Sequence, residues 1–301
     1  MRTSKQTKAF IEKGMELLFA ACSFSAVIAV GLIIVYMLAM GGPAIAEIGP
    51  IQFLFGTTWT PASATDPQFG ILPMILSSIF GTLGAILIGV PIGLLAAVFL
   101  ANVASDRVAA AVRPVIELLA GIPSVIYGLI GMVVIVPTVA KVFSEQTQYN
   151  GGATMFSAIL VLSVMVLPTI ISVSETALRA VPKDYEQASL ALGATQVQTI
   201  FQVLVPAARS GITAGIVLGI GRAIGEAMAI LLVSGNVVNM PGLFSSVRFL
   251  TTGIVSEMGY AEGLHRQALF GIGLVLFVFI MGINIALYFF VKKGVGSKDG
   301  K

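Results

Sequence analysis

Six long apolar runs, near 17–40, 72–100, 115–140, 153–177, 210–235 and 268–291, decide what this chain can become. Each is long enough, as a helix rising 1.5 Å per residue, to cross the roughly 30 Å of bilayer hydrocarbon. Charged residues make up only 10% of the chain and hydrophobic ones 57%. A soluble domain carries about 25% charged residues, so this composition cannot cover a water-facing surface. The expected fold is all-α and polytopic, with six transmembrane helices. Basic residues precede the first run, but it is too long for a signal peptide and is not cleanly followed by a small-residue cleavage site. It reads as a retained span.

Lysine and arginine stay on the cytoplasmic side of short loops. With the N-terminus inside, the cytoplasmic segments hold thirteen: Arg2, Lys5, Lys8, Lys13, Arg107, Arg113, Arg179, Lys183, Arg209, Lys292, Lys293, Lys298 and Lys301. The external segments hold three, Lys141, Arg248 and Arg266. Both termini are therefore expected in the cytoplasm. Residues 1–16 form a cytoplasmic N-terminus, and 17–71 hold the first span and an external loop. Residues 72–291 form the core, with a cytoplasmic loop at 178–209, and 292–301 a cytoplasmic tail. Trp59 is expected at the lipid interface, His265 in a second external loop at 236–267 without a ligand partner, and Cys22 as a packing residue. Neither metal nor nucleic acid is expected as a partner; lipid is.

The 178–209 loop has helical punctuation. Asp184, with Gln187 three residues on, has a capping-box pattern. Gly193 stops that helix, and Thr195 with Gln198 starts another that Pro206 closes. The first helix is rich in small residues and nearly neutral, unlike a helix resting on lipid, which carries bulky apolar and basic faces. It is better suited to docking against protein.

The fifth run carries Gly211, Gly215 and Gly219 four apart, then Gly221 and Gly225. Small residues at this spacing let membrane helices approach closely. Arg222 and Glu226 sit near its middle, also four apart. A central charge costs about 2.5–3.5 kcal/mol on insertion scales, so the two are expected to face each other as an ion pair or to face a polar cavity. A neutral pair would not itself attract a dianion; the expectation is that Glu226 holds Arg222 at rest and releases it in another state, a partner's cation completing the site. Gly121-Ile-Pro123-Ser124 should bend or break the third helix, either as an ordinary proline kink or to line a polar path. No G-x4-G-K-[ST] loop is present to cradle a nucleotide.

Residues 180–195 resemble the EAA loop of ABC importer permeases. The family pattern is Glu-Ala-Ala, three residues, Gly, nine residues, Ile, one residue, Leu-Pro. Aligned on Gly193, this chain has Gln187-Ala188-Ser189 and then Val203-Leu204-Val205-Pro206, with Glu186 one place early. Further stretches resemble the phosphate-specific transport (Pst) permeases, the C-type subunit in particular. They include Phe69 to Pro73, Val90 to Leu94, Pro114 to Gly128, Ala177 to Pro182, Arg222-Ala-Ile-Gly-Glu226 (with Ala227 where Thr is common) and Glu257 to Glu262. The resemblance covers roughly 50–290. It implies a type I (MetI-like) permease that transports inorganic phosphate and hydrolyses no ATP. Its partners would be an A-type permease, two ATPase subunits that bind ATP-Mg, and an external phosphate-binding protein. It implies coupling to the ATPase through Glu186, Gln187, Ala188, Ser189, Leu192, Gly193 and Ala194, a phosphate path at Arg222 and Glu226, and a helix break at Gly121, Pro123 and Ser124. Permeation of another oxyanion (sulfate, molybdate) and ion-coupled secondary transport remain open alternatives.

Overall fold

A computed structural model describes residues 5–296, with side chains described from 11 to 285. The expected terminal segments reach residues 1–4 and 297–301, which lie outside the described residues. Helix α1 (Lys5–Ile48) is followed by α2 (Pro50–Phe55) and a short antiparallel hairpin, β1 (Trp59–Thr60) with β2 (Gln68–Phe69). Next comes α3 (Leu72–Val98), which runs on through a π-helical turn at Phe99–Val103. Helix α4 (Asp106–Gly121) is separate from α5 (Ser124–Ile130), which a π turn joins to α6 (Val136–Val142). A single turn, α7 (Ser144–Thr147), leads to α8 (Met155–Arg179). Then come α9 (Lys183–Ala191) and α10 (Gln196–Thr199), the latter continuing through a π turn into α11 (Val205–Ala207). The last elements are α12 (Arg209–Gly225), α13 (Met228–Val233), α14 (Leu250–Glu257) and α15 (Gly263–Gly296).

Among the described residues, five segments are long and apolar enough to cross a membrane: Ile11–Ile48, Leu72–Val103, Ser124–Val142, Met155–Arg179 and Gly263–Ile285. A sixth arises if Gln196–Ala207 and Arg209–Gly225, bent by 71° to each other, count as one. Two expectations change here. The third run, expected at 115–140, breaks where Gly121, Pro123 and Ser124 were expected to break it; what changes is its bounds, because its first part belongs to α4 and the crossing starts at Ser124. The fifth, expected to be continuous over 210–235, ends at Gly225 and resumes at Met228. Below, the side on which α8 ends and α12 begins is called the lower face and its opposite the upper.

Helix α8 is the central post. Its first turn is capped by Thr154, whose Oγ1 accepts from the Ser157 amide at 3.3 Å. Most of its surface is covered, by α3 on one side and α12 on another. Glycine makes both seams close. A Cβ at Gly89 would stand 2.8 Å from Val166 Cγ2, and one at Gly93 equally close to Ile170 Cγ2. On α12, a Cβ at Gly211 would meet Ala177 Cβ at 2.4 Å and one at Gly219 would meet Ile170 Cγ1 at 3.0 Å. The first glycine series of the sequence is thus the α12–α8 seam, while Gly221 and Gly225 have nothing within 4 Å. Helix α1 stands apart: its apolar face is largely open and it meets the body mainly along α15.

The expected external loop 236–267 is partly helical. It holds α14, whose Leu250 and Thr252 are fully buried, and the start of α15 at Gly263. Helix α14 is pinned by the Leu250 amide donating to Ser78 Oγ at 3.0 Å and by the Phe249 ring, which lies where a Cβ on Gly81 would be.

Gly128 of α5 abuts α13, and a Cβ there would lie 2.7 Å from the Ala229 Cα. Backbone cannot yield as a side chain does, and overpacking costs about 1–3 kcal/mol. Gly128→Val should therefore lower the melting temperature of the detergent-solubilised protein, whereas Gly221→Ala should leave it unchanged. Equal melting of the two variants would show that α5 and α13 are not in the described contact.

Candidate functional site

Arg222 lies thirteen residues along α12 from Arg209, about 20 Å at helical rise, well inside an apolar helix. The expected ion pair with Glu226 is not formed. Glu226 is the residue after the helix end, with φ −71° and ψ 131°, an extended conformation that breaks the i, i+4 register on which the pair depended. Its carboxylate turns forward and Oε1 accepts from the Ala229 amide at 2.9 Å, satisfying an orphan donor of α13. Its carbonyl, released from α12, accepts from Thr251 Oγ1 of α14 at 2.6 Å. Arg222 donates from Nη1 to Thr169 Oγ1 of α8 at 3.3 Å and has no ion-pair partner among the described residues. Both side chains are half-buried.

The break at the start of the third crossing lies beside this site. Helix α4 ends at Gly121, Pro123 has the extended ψ of 138°, and Ser124 opens α5. Tyr127 bridges the gap, its hydroxyl donating to the Leu119 carbonyl at 2.7 Å. Through Gly128, the short helix after this break packs on the short helix after the Glu226 break. Irregular backbone at membrane depth survives only where protein or a water-lined cavity covers it. Here each interruption helps cover the other.

On the lower face, α9 has no buried residue. Gln187, Ala188, Leu192 and Gly193 are exposed, and Glu186, Ser189 and Ala194 are half-buried; Leu192 is 89% exposed and Tyr185 53%. The expected Asp184 cap is not used: Pro182 occupies the cap position, where its fixed φ of −57° sets the chain and it offers no side-chain acceptor. Gly193 ends α9 at φ +86°, a left-handed conformation open to glycine, with the Ala194 amide bonding back to the Ser189 carbonyl at 3.2 Å. Thr195 and Gln198 form a reciprocal capping box on α10. Ser189 Oγ and Thr199 Oγ1, 2.9 Å apart, tie the two helices together.

Two carboxylate hubs escaped sequence reasoning. On the upper face, Glu257 is buried and gathers Trp59 Nε1 at 2.9 Å, Arg248 Nη1, and His265 Nε2 at 2.7 Å. Trp59 is thus buried in the upper cap, not placed at the lipid interface, and His265 belongs to α15 with a carboxylate partner. The hub borders a cavity of about 640 Å³. On the lower face, buried Glu175 Oε1 accepts from Arg113 Nε at 2.7 Å and from Arg179 Nε at 2.9 Å. Arg179 also donates from Nη2 to the Leu100 carbonyl at 2.8 Å. The spacing of Glu175 and Arg179 was a visible signal for the second hub. The first joins residues 198 apart in the chain, which no local pattern announces.

Residues 89–293 match the family model described as binding-protein-dependent transport system inner membrane component. A probable ABC transporter permease protein, YqgH of Bacillus subtilis (strain 168), is 38% identical over 281 residues, 92% of this chain and 89% of that protein. The phosphate transport system permease protein PstC of Haemophilus influenzae is 35% identical over 247 residues, 75% and 76% of the two chains. Its counterpart in Pasteurella multocida is 32% identical over 82% of each. Among solved structures, a bacterial alginate ABC transporter chain superposes with TM-score 0.61 at 16% identity, covering 94% of this chain and 95% of that one. The MetNI methionine transporter gives 0.55 at 20% identity, covering 75% and 94%. These likenesses place the fold among type I importer permeases.

Removing one member of a buried ion pair strands the other, at about 3–5 kcal/mol. Glu257→Gln should therefore lower the melting temperature in detergent by roughly 10 °C, and Arg248→Met added to it should restore part of the loss. Unaltered melting of the single variant would remove Glu257 from the upper framework.

Proposed function

This chain belongs to the family of binding-protein-dependent transport system inner membrane components, and from that premise we propose that it is the C-type permease subunit of an ATP-driven inorganic phosphate importer. The family is one of transport permeases, not enzymes. The observation that carries the substrate reading is the state of Arg222: a guanidinium deep in the membrane, held by a hydroxyl and not neutralised by a carboxylate. A planar, permanently charged fork suits a tetrahedral oxyanion. A closed Arg–Glu pair would have been neutral, and the turn of Glu226 toward α13 removes that objection. The named phosphate permeases among the relatives favour phosphate over sulfate or molybdate.

On this proposal the lower face is cytoplasmic, as are both termini, and the upper cavity faces the external binding protein. A related A-type permease covers the open side of α12 and contributes a further cation to the path. Two ATPase subunits bind and hydrolyse ATP-Mg. One of them receives α9, whose nine residues, none of them buried, are too few to be stable as a free helix and whose Tyr185 and Leu190, with Leu192 just after its end, present apolar surface. Glu186, Gln187, Ala188, Ser189, Gly193 and Ala194 complete that docking element. The breaks at Gly121–Ser124 and at Glu226 let the path open and close as α9 moves.

The test is uptake of radiolabelled phosphate by the complex of both permeases, the ATPase and the binding protein in proteoliposomes. Arg222→Ala should abolish uptake while ATPase activity persists. Arg222→Lys, which keeps charge but loses the fork, should slow it at least about tenfold, a barrier change of about 1.4 kcal/mol. Glu226→Gln should retain partial uptake, because an amide oxygen can still accept from Ala229. Wild-type uptake by Arg222→Lys would refute bidentate recognition, and competition by sulfate equal to that by phosphate would refute the substrate.

A further inference from the structure

Exposed positions on α3 are apolar, Leu87 among them at 77% exposure, and on the other crossings exposed hydroxyl and amide side chains are scattered, as Ser23 and Ser25 on α1, Thr138 on α6 and Asn284 on α15. Helix α8 differs. Below Val164, its open face carries Thr169, half-buried, then Ser172, Thr176 and Arg179, all exposed. Steps of three, four and three residues place these within about 80° of arc on one side of a helix. The face starts at the hydroxyl that holds Arg222 and ends, about 15 Å lower, at the Glu175 hub. Ser172 and Thr176 themselves line a cavity of about 290 Å³ together with Arg113, Glu117, Glu175 and Arg179.

Hydroxyls on lipid-facing surface gain nothing from hydrocarbon, and in membrane proteins such groups face other helices or water. Their chemistry here suits an anion. Thr169 Oγ1 accepts from Arg222, which leaves its own proton free to donate. Ser172 Oγ has no hydrogen-bond partner among the described residues. The Thr176 hydroxyl bonds to the Ser172 carbonyl at 2.8 Å, a local bond it can exchange by rotating. The mouth has two guanidiniums set against buried Glu175 and exposed Glu117, so its charges balance. Conduction needs sites that are favourable to enter yet weak enough to leave, and a balanced mouth offers donors without a trap.

We propose that the Thr169–Ser172–Thr176 face of α8 is the anion's exit route from Arg222, opening to the cytoplasm at the Arg113–Glu175–Arg179 cluster. Thr169 positions the guanidinium, and Ser172 and Thr176 hand the anion downward by hydroxyl donation. The inference rests on the reading of the chain as an oxyanion permease, though not on which oxyanion passes.

The chain's single cysteine makes a direct test possible. In a Cys22→Ser background, Ser172→Cys, Thr176→Cys and Leu87→Cys are each assembled into the complete complex in inside-out vesicles. They are then treated with an anionic, membrane-impermeant methanethiosulfonate, with and without ATP. Cysteines at 172 and 176 should be modified in at least one nucleotide state, inorganic phosphate should slow the reaction, and the modified complexes should lose ATP-driven release of phosphate loaded with the binding protein into the vesicles. The cysteine at 87 should stay unmodified. Protection by sulfate instead of phosphate would keep the route and overturn the substrate. Failure to modify 172 and 176 in either state, in variants that still transport, would overturn the route while leaving the permease reading intact.

Discussion

A guanidinium in hydrocarbon must bring its own solvation, and the middle of this molecule is arranged around that demand. An unbroken α12 would put Glu226 one turn above Arg222 and neutralise it. The chain instead leaves helical geometry at Glu226, and the carboxylate is spent on the first turn of α13. Arg222 is left with a neutral hydroxyl. The cost of interrupted backbone at this depth is offset by two contacts: Thr251 takes up the freed carbonyl, and α13 lies against the other interrupted helix, α5. Charge, break and α14 are therefore one unit, which explains why a segment expected to be an external loop is folded into the body.

The rigid surroundings come from glycine. With hydrocarbon outside, there is little hydrophobic gain in bringing helices together, and close packing must supply the attraction. The seams of α8 with α3 and with α12 are set by glycines facing Val166, Ile170 and Ala177. Carboxylate hubs then fasten the ends, Glu257 above and Glu175 below. Each hub joins segments distant in sequence around one buried carboxylate.

Features determined by neighbours in the chain were legible in the sequence. Apolar runs located the crossings, Gly193 marked a helix stop, and Thr195 with Gln198 announced a capping box. Properties set by tertiary contact were not. The periodicity that put Arg222 beside Glu226 assumed a continuous helix, and nothing local says that Glu226 prefers the Ala229 amide. Asp184 looked like a cap, but Pro182 had already fixed the entry of α9. His265 and Trp59 seemed unremarkable because their partner, Glu257, is known only once α14 is folded in.

On the proposed function, force and substrate meet on α8. Its lower end carries Glu175 and Arg179, and only three residues separate it from α9. A displacement of α9 therefore acts on α8 directly. Below Pro168 the helix is held by its glycine seam to α12 and by the Glu175 hub, so it should move as a unit. Pro168 offers no amide to the Val164 carbonyl, which leaves the helix most compliant at that point. Thr169, the residue that holds Arg222, comes immediately after it. Ile170, the next residue, packs on Gly219 of α12, three residues before Arg222, so a bend at Pro168 would carry Thr169 and Arg222 together with the lower half of α8.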